Sequence, residues 1–425
     1  MITLDYKNLF QISEKHGLTE KELEKYKNST PQYLKNIKSL NQGFYKVFSE
    51  NNTIKDIQKF AQEKNKFKDI VVLGIGGSAL GTICLKKAFS HLFQERTPRV
   101  HILDNIDPTI FAEIEDILNY EKTLFIVVTK SGETPETLSQ YFYFYKKIKE
   151  KKLAPQEHFV FITDPTQGLL RKISIEENIT TFPVPMNIGG RFSVLTAVGL
   201  LPAAFMGIDI EKLLIGAEKM ARNFLNEDFE QNLPFQIALI QYLLAQKGKN
   251  ITVMMPYAQK LYSFADWYCQ LLAESIGKKL NNDKKEIFVG LTPVKSLGVT
   301  DQHSQLQLYN EGPFDKLIIF LEVENFGQEI TIPNVYPEKK EFQFLKNISF
   351  KKLLQTEKKA TEQALTKNNR PNITIKIPEL NEENLGSLFM LFEASIAFLG
   401  EFFNINAFDQ PGVELGKILT KEMLK

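Results

Sequence analysis

Asp69-Ile70-Val71-Val72-Leu73-Gly74-Ile75-Gly76-Gly77-Ser78-Ala79-Leu80-Gly81 is the stretch that decides the fold. It is a short apolar run that ends in glycines and then opens a helical pattern. A continuous apolar run, rather than an alternating one, marks a strand buried on both faces. The unit recurs downstream in Val100-His101-Ile102-Leu103, Leu124-Phe125-Ile126-Val127-Val128 and Phe159-Val160-Phe161-Ile162. Helical spacing fills the intervals near 79–92, 107–118 and 135–152. Buried strands alternating with helices predict an α/β fold with a doubly wound parallel sheet.

The alternation repeats more loosely in the second half. A long helical stretch is expected over 210–246, a strand at Ile251-Thr252-Val253-Met254-Met255 and a helix over 262–280. Leu317-Ile318-Ile319-Phe320 and Ile373-Thr374-Ile375-Lys376-Ile377 are further strands, and 385–402 is a long apolar helix. Two α/β units in tandem follow, 1–205 and 206–425, each with a parallel sheet flanked by helices. No Gly/Ser linker marks the boundary. The first 45 or so residues, rich in Lys and Glu, are expected as an outer helical layer, and 325–370 as a peripheral segment.

The chain has 425 residues, more than the ~250–300 a single core supports. Its 52 basic and 51 acidic side chains leave a net charge of +1. That balance lacks the basic excess of a nucleic-acid binder. The densest basic run, Lys146-Lys147-Ile148-Lys149-Glu150-Lys151-Lys152, reads as a solvated helix end. Cys84 and Cys269 stand far apart among apolar residues and read as small buried hydrophobes of a reducing compartment. Five histidines, none in an HExxH pair, give no metal spacing. Residues 194–206 are apolar but too short to span a bilayer, and Gly199 and Pro202 interrupt them. The amino terminus lacks the pattern of a signal peptide. These features predict a cytoplasmic protein without a membrane partner.

Ligands of such sheets sit outside the carboxyl ends of the strands. Gly74-Ile75-Gly76-Gly77-Ser78 follows the first strand and permits a close backbone approach. With Ala79 and Asp104 it also mimics a dinucleotide fingerprint. Thr129-Lys130-Ser131-Gly132-Glu133-Thr134 follows the third strand and precedes a helix. Hydroxyls, an ammonium and helix N–H groups suit a phosphate monoester, although an ordinary hydroxyl N-cap reads the same way. Arg191, on the turn Asn187-Ile188-Gly189-Gly190, could stabilise an anion or pair with a carboxylate. Glu274 follows Leu271-Leu272-Ala273, and in an apolar setting a carboxylate is paired or raised in pKa, as a general base requires. His303, in Asp301-Gln302-His303-Ser304 at a helix start, could shuttle a proton or be structural. In Phe408-Asp409-Gln410-Pro411-Gly412-Val413-Glu414-Leu415-Gly416-Lys417, turn chemistry runs at once into a helix. It brings the amide of Gln410 and the ammonium of Lys417 to one helix start.

Taken in order from residue ~70 to the C-terminus, these motifs resemble the phosphoglucose isomerase family, in its compact bacterial type. Residues 187–200 resemble the family's first signature and 400–417 its second. The resemblance implies two sugar-isomerase (SIS) domains and reversible conversion of glucose 6-phosphate to fructose 6-phosphate without metal or organic cofactor. It implies that Thr129, Lys130, Ser131 and Thr134 bind the phosphate and that Gly76, Gly77 and Ser78 line the sugar site. Arg191 would stabilise the enediolate, Glu274 would carry the proton between C2 and C1, and His303 with Lys417 would open the ring. Gln410 would contact substrate. The histidine would come from the neighbouring subunit of a homodimer with shared active sites. Thr129 stands where members commonly carry Ser, which keeps the hydroxyl, and Ile276 and Glu133 replace more polar or smaller neighbours. An NAD(P)-binding oxidoreductase would leave Thr129 to Thr134 and Lys417 unused. A non-catalytic sugar-phosphate sensor would not need Glu274, His303 and Lys417 together. A side activity on mannose 6-phosphate is compatible with the same residues.

Overall fold

A computed structural model describes residues 1–49 and 51–425. Among the described residues the strands are β1 Thr3–Asp5, β2 Asp69–Leu73, β3 Arg99–Leu103, β4 Thr123–Val128, β5 Phe159–Thr163, β6 Thr180–Pro183, β7 Ile251–Pro256, β8 Lys278–Leu280, β9 Glu286–Val289, β10 Thr292–Lys295, β11 Lys316–Asn325 and β12 Asn372–Glu379. They form two five-stranded sheets and one small hairpin, β8 with β9. The chain divides into two compact units. One comprises Asn36–Arg222 with Leu385–Ala394, the other Met1–Lys35, Asn223–Asn384 and Ser395–Lys425.

In the 36–222 unit the strand order is β3-β2-β4-β5-β6, every pair parallel. β2, β4 and β5 are buried at every residue, as continuous apolar runs require. Val71, Leu73, Phe125, Val127, Phe159 and Phe161 pack against Tyr141, Phe144 and Ile148 of the helix Pro135–Glu150. Phe125 and Phe144 stack with centroids 4.7 Å apart. Each such ring contributes roughly 1.5–3 kcal/mol by leaving water. From β2 the chain winds outward to β3 and returns to β4 on the other side of β2. The loops after β2 and β4 therefore splay apart at their carboxyl ends, which is where open α/β sheets hold ligands.

The 223–384 unit repeats the winding. Its order is β1-β12-β11-β7-β10, parallel except for β1. β7 leads outward to β10, and β11 then returns on its other side. Both sheets are thus doubly wound, as the alternation of apolar runs predicted.

Several expectations need correction. Two contiguous units meeting near residue 205 do not describe the chain. Thr3–Asp5, expected in a helical layer, is an edge strand antiparallel to β12, with Leu4 opposite Ile375. That pairing places the N-terminus with the unit that begins at Asn223. The helix Glu382–Phe402 is apolar on all sides and 94% buried over its most apolar window, and its residues are divided between the units. The expected helix 210–246 is two, Ile210–Phe224 and Leu233–Gln246. Asn232 ends one and starts the other: its amide donates to Phe224 O at 2.7 Å and its Oδ1 accepts from Phe235 N at 3.0 Å. The helix expected over 262–280 stops at Ile276, before Gly277, and Lys278 enters a strand. Residues 325–370 are only partly peripheral. The helix Phe350–Lys367 buries Lys358, Thr361 and Leu365. The Lys358 ammonium is matched by Glu322 at 3.1 Å and Glu362 at 3.0 Å. Cys84 is buried as expected, whereas Cys269 is only partly so. Residues 194–206 hold the buried core helix Ala197–Phe205.

Candidate active site

The loop between β4 and the helix Pro135–Glu150 gathers three hydroxyls. Thr129 Oγ1 lies 2.8 Å from Thr134 Oγ1 and 3.4 Å from Ser131 Oγ. Ser131 Oγ accepts from Glu133 N at 3.2 Å. Thr134 holds the N-cap position, yet its side chain makes no capping bond. The ordinary N-cap reading therefore fails here. The helix start keeps backbone donors available, and an anion is favoured there by those donors and by the dipole. One turn on, the buried Thr137 hydroxyl also lacks a protein partner. Sequence reasoning left Thr137 out because a threonine in the first turn of a helix is ordinary.

A second loop braces the first. Gly168, at φ 96°, approaches so closely that a Cβ there would lie 2.5 Å from Ser131 O. Asp164 N donates to Lys130 O at 3.1 Å. The Asp164 carboxyl is nearly buried, which would raise its pKa, but N–H and O–H donors from Thr166 and Gln167 hold it below its usual value.

Lys130 does not behave as a free phosphate ligand. Its ammonium donates to Met186 O and Ile188 O, both at 2.8 Å. Burial lowers its pKa, with partial opposition from Asp164. It ties the phosphate-type loop to the segment that leads into Arg191. Gly189–Gly190 then turns the chain, and Ser193 Oγ donates to Gly190 O at 2.6 Å. Arg191 is 4% exposed, with its guanidinium 5.5 Å from the Phe192 ring centroid.

Gly76, Gly77 and Ser78 form a short 3-10 turn after β2. A Cβ at Gly77 would overlap the backbone of Gly190 and approach Arg191 N to 2.7 Å. The close approach that this glycine permits is therefore made by the protein's own Arg191 turn. A dinucleotide fingerprint would need that space for pyrophosphate, which disfavours the oxidoreductase reading.

The other unit holds the remaining residues. Glu274 lies in the last turn of the helix Tyr262–Ile276, partly buried, and its Oε1 accepts from Gln270 at 3.0 Å. The Lys278 ammonium donates to Glu274 O and Asp409 O, both at 2.7 Å. Gln410 is exposed at the start of a 3-10 turn that leads into the helix Glu414–Met423. Lys417, also exposed, pairs with Glu414 at 2.7 Å. His303 ends a 3-10 turn, Thr300–His303, rather than opening a helix, and it is exposed. Asp301 fixes that turn: its carboxylate accepts from Leu297 N at 2.7 Å and Ser304 Oγ at 2.6 Å. Burial would raise the Asp301 pKa, but these donors outweigh it and hold the carboxyl below its ordinary value.

The phosphoglucose isomerase sequence model matches residues 34–425. Glucose-6-phosphate isomerase of Carboxydothermus hydrogenoformans is 46% identical, across 100% of this chain and 94% of that protein. Glucose-6-phosphate isomerase of Rubrobacter xylanophilus is 38% identical, across 99% of this chain and 97% of its own. The crystal structure of a glucose-6-phosphate isomerase from Chlamydia trachomatis superposes with a TM-score of 0.86 at 23% identity. It covers 100% of this chain and 88% of that one, and shares its fold. Sequence and fold agree, and the chain belongs to the phosphoglucose isomerase family.

Proposed function

We infer that this protein catalyses the reversible isomerisation of glucose 6-phosphate and fructose 6-phosphate, a step of glycolysis and gluconeogenesis. The observation that carries the reading is the family match over residues 34–425, with an open hydroxyl-rich helix start after β4. The reading assigns the phosphate to Thr129, Ser131 and Thr134, with Lys130 holding their loop. Anchoring a group remote from the reacting carbons supplies positioning that lowers the barrier.

The chemistry then runs in three steps. Ring opening protonates the ring oxygen and deprotonates the C1 hydroxyl, and an imidazole, with one nitrogen to donate and one to accept a proton, suits this. His303 takes that role, with Lys417. A carboxylate next removes the C2 proton, giving an enediolate, and Glu274 is assigned as that base. Arg191 is assigned to the developing oxyanion. A preorganised donor of that kind is worth about 2.7–4 kcal/mol. Passage of the hydroxyl proton from O2 to O1 and return of the carbon-bound proton to C1 give the ketose. Gly76, Gly77, Ser78 and Gln410 are assigned to the sugar.

A homodimer with shared active sites belongs to the same proposal. It is supported by the helix Glu414–Met423, which buries none of its residues and exposes Leu415, Ile418, Leu419 and Met423. A second copy that covers this face would remove apolar surface from water. Cytoplasmic residence completes the reading, because an anionic sugar phosphate is retained on the side of the membrane where it is made. The test is a coupled assay that follows glucose 6-phosphate formation from fructose 6-phosphate with EDTA present. Turnover that survives the chelator is expected. Absence of turnover in folded protein, with or without added metal, sinks the assignment.

A further inference from the structure

We infer that Lys278 is a positioning residue that fixes the Glu274 carboxylate and the Gln410 segment relative to each other. The inference rests on the reading of Glu274 as the base. Gly277 ends the helix Tyr262–Ile276, with its N–H on Ala273 O. The last carbonyls of a helix lack intrahelical partners. One of them, Glu274 O, receives the Lys278 ammonium at 2.7 Å. The same ammonium donates to Asp409 O at 2.7 Å and lies 3.5 Å from Asp409 Oδ1. A single cation therefore grips the backbone of Glu274 itself and the backbone immediately before Gln410.

Lys278 is 7% exposed. Removing an ammonium from water is costly, and a helix terminus can be capped by an exposed lysine or by glycine alone. Burial at this point is understandable if the tie serves geometry. Beyond Lys278 the chain is held as well: Lys278 pairs with Val289 across the β8–β9 hairpin. The cation thus projects from an anchored strand. Already past the helix end, its side chain reaches back to the Glu274 carbonyl. A base displaced by about 1 Å can lose on the order of 100-fold in rate.

The test compares Lys278→Met, Lys278→Arg and Glu274→Gln in the full-length protein. Lys278→Met should lower kcat by about 10- to 100-fold. Exchange of the C2 proton with solvent should fall in parallel. Inhibition by inorganic phosphate, which reports the phosphate loop, should shift less than about 3-fold, because that loop is not touched. Lys278→Arg, which keeps charged donors, should recover most of kcat. If Lys278→Met does not fold, Lys278→Arg and Lys278→Gln carry the comparison, with kcat ranking parent, Arg, Gln. Parental kcat in every folded Lys278 variant overturns the inference. So does an Arg variant as slow as the variant lacking charge. Glu274→Gln separates the two claims: parental proton exchange in that variant removes the base assignment whatever Lys278 does.

Discussion

Thr129 Oγ1 and Thr134 Oγ1 lie 2.8 Å apart across the turn that joins β4 to the helix Pro135–Glu150. The bond turns an N-cap hydroxyl away from its usual duty and leaves the helix start open. A threonine that capped its own helix would occupy the donors that an anion needs.

Thr134→Val keeps the shape and removes the hydroxyl. A hydrogen bond to a charged group is worth about 1.5–3 kcal/mol. KM for fructose 6-phosphate should therefore rise on the order of 10-fold or more, with kcat changed much less. Calorimetry with inorganic phosphate should show the same weakening. Unchanged phosphate affinity would place the anion elsewhere.

Lys130→Met removes the donors held by Met186 O and Ile188 O. Leaving the part-buried Ile188 carbonyl without its charged partner should destabilise the unit by roughly 1–3 kcal/mol, whereas Met186 O is open to water. The Arg191 turn should loosen, so kcat should fall more than phosphate affinity. The sequence suggested a direct phosphate ligand, which would give the reverse ranking. Steady-state kinetics beside phosphate inhibition distinguishes the two.

His303→Ala and Glu274→Gln should each be close to inactive on cyclic glucose 6-phosphate. If one subunit's histidine serves its neighbour's carboxylate, refolding the two dead chains together should restore activity. Up to one intact site per mixed dimer is expected. Mixed dimers confirmed by differential tags but without activity would argue that each chain builds its own complete site.

Glu393 is fully buried, and neither carboxyl oxygen has a hydrogen-bond partner in the protein. Burial raises its pKa well above 4.5. The group therefore takes up a proton on folding. Its contribution is at its best below pH 4.5 and weakens as pH rises toward the folded value, by about 1.4 kcal/mol per unit. Glu393→Met should accordingly raise the melting temperature at pH 8 and have a smaller effect at pH 5. A melting difference independent of pH would mean that the carboxylate is ionised in the native protein.

The sequence by itself determined that the protein is α/β, that its two main sheets are largely parallel and doubly wound, and which loops carry candidate chemistry. Those features are local. Runs such as 70–73 and 124–128 are apolar at every position, and glycines or hydroxyls follow the strand ends. Tertiary structure decided the rest. Thr3–Asp5 carries no strand signal of its own and becomes one by pairing with β12. The break at Asn232 depends on side-chain bonds to Phe224 and Phe235 that close only in the folded chain. The destinations of Lys130 and Lys278 are likewise invisible in sequence. A lysine beside serine and threonine reads as a phosphate ligand, but an ammonium on a flexible stem goes to whichever carbonyls packing brings within reach. For Lys130 these belong to residues more than fifty positions away, and one of those of Lys278 is more than a hundred away. Composition and spacing specify which groups are available, whereas the partners of a long polar side chain are fixed only when distant backbone closes around it.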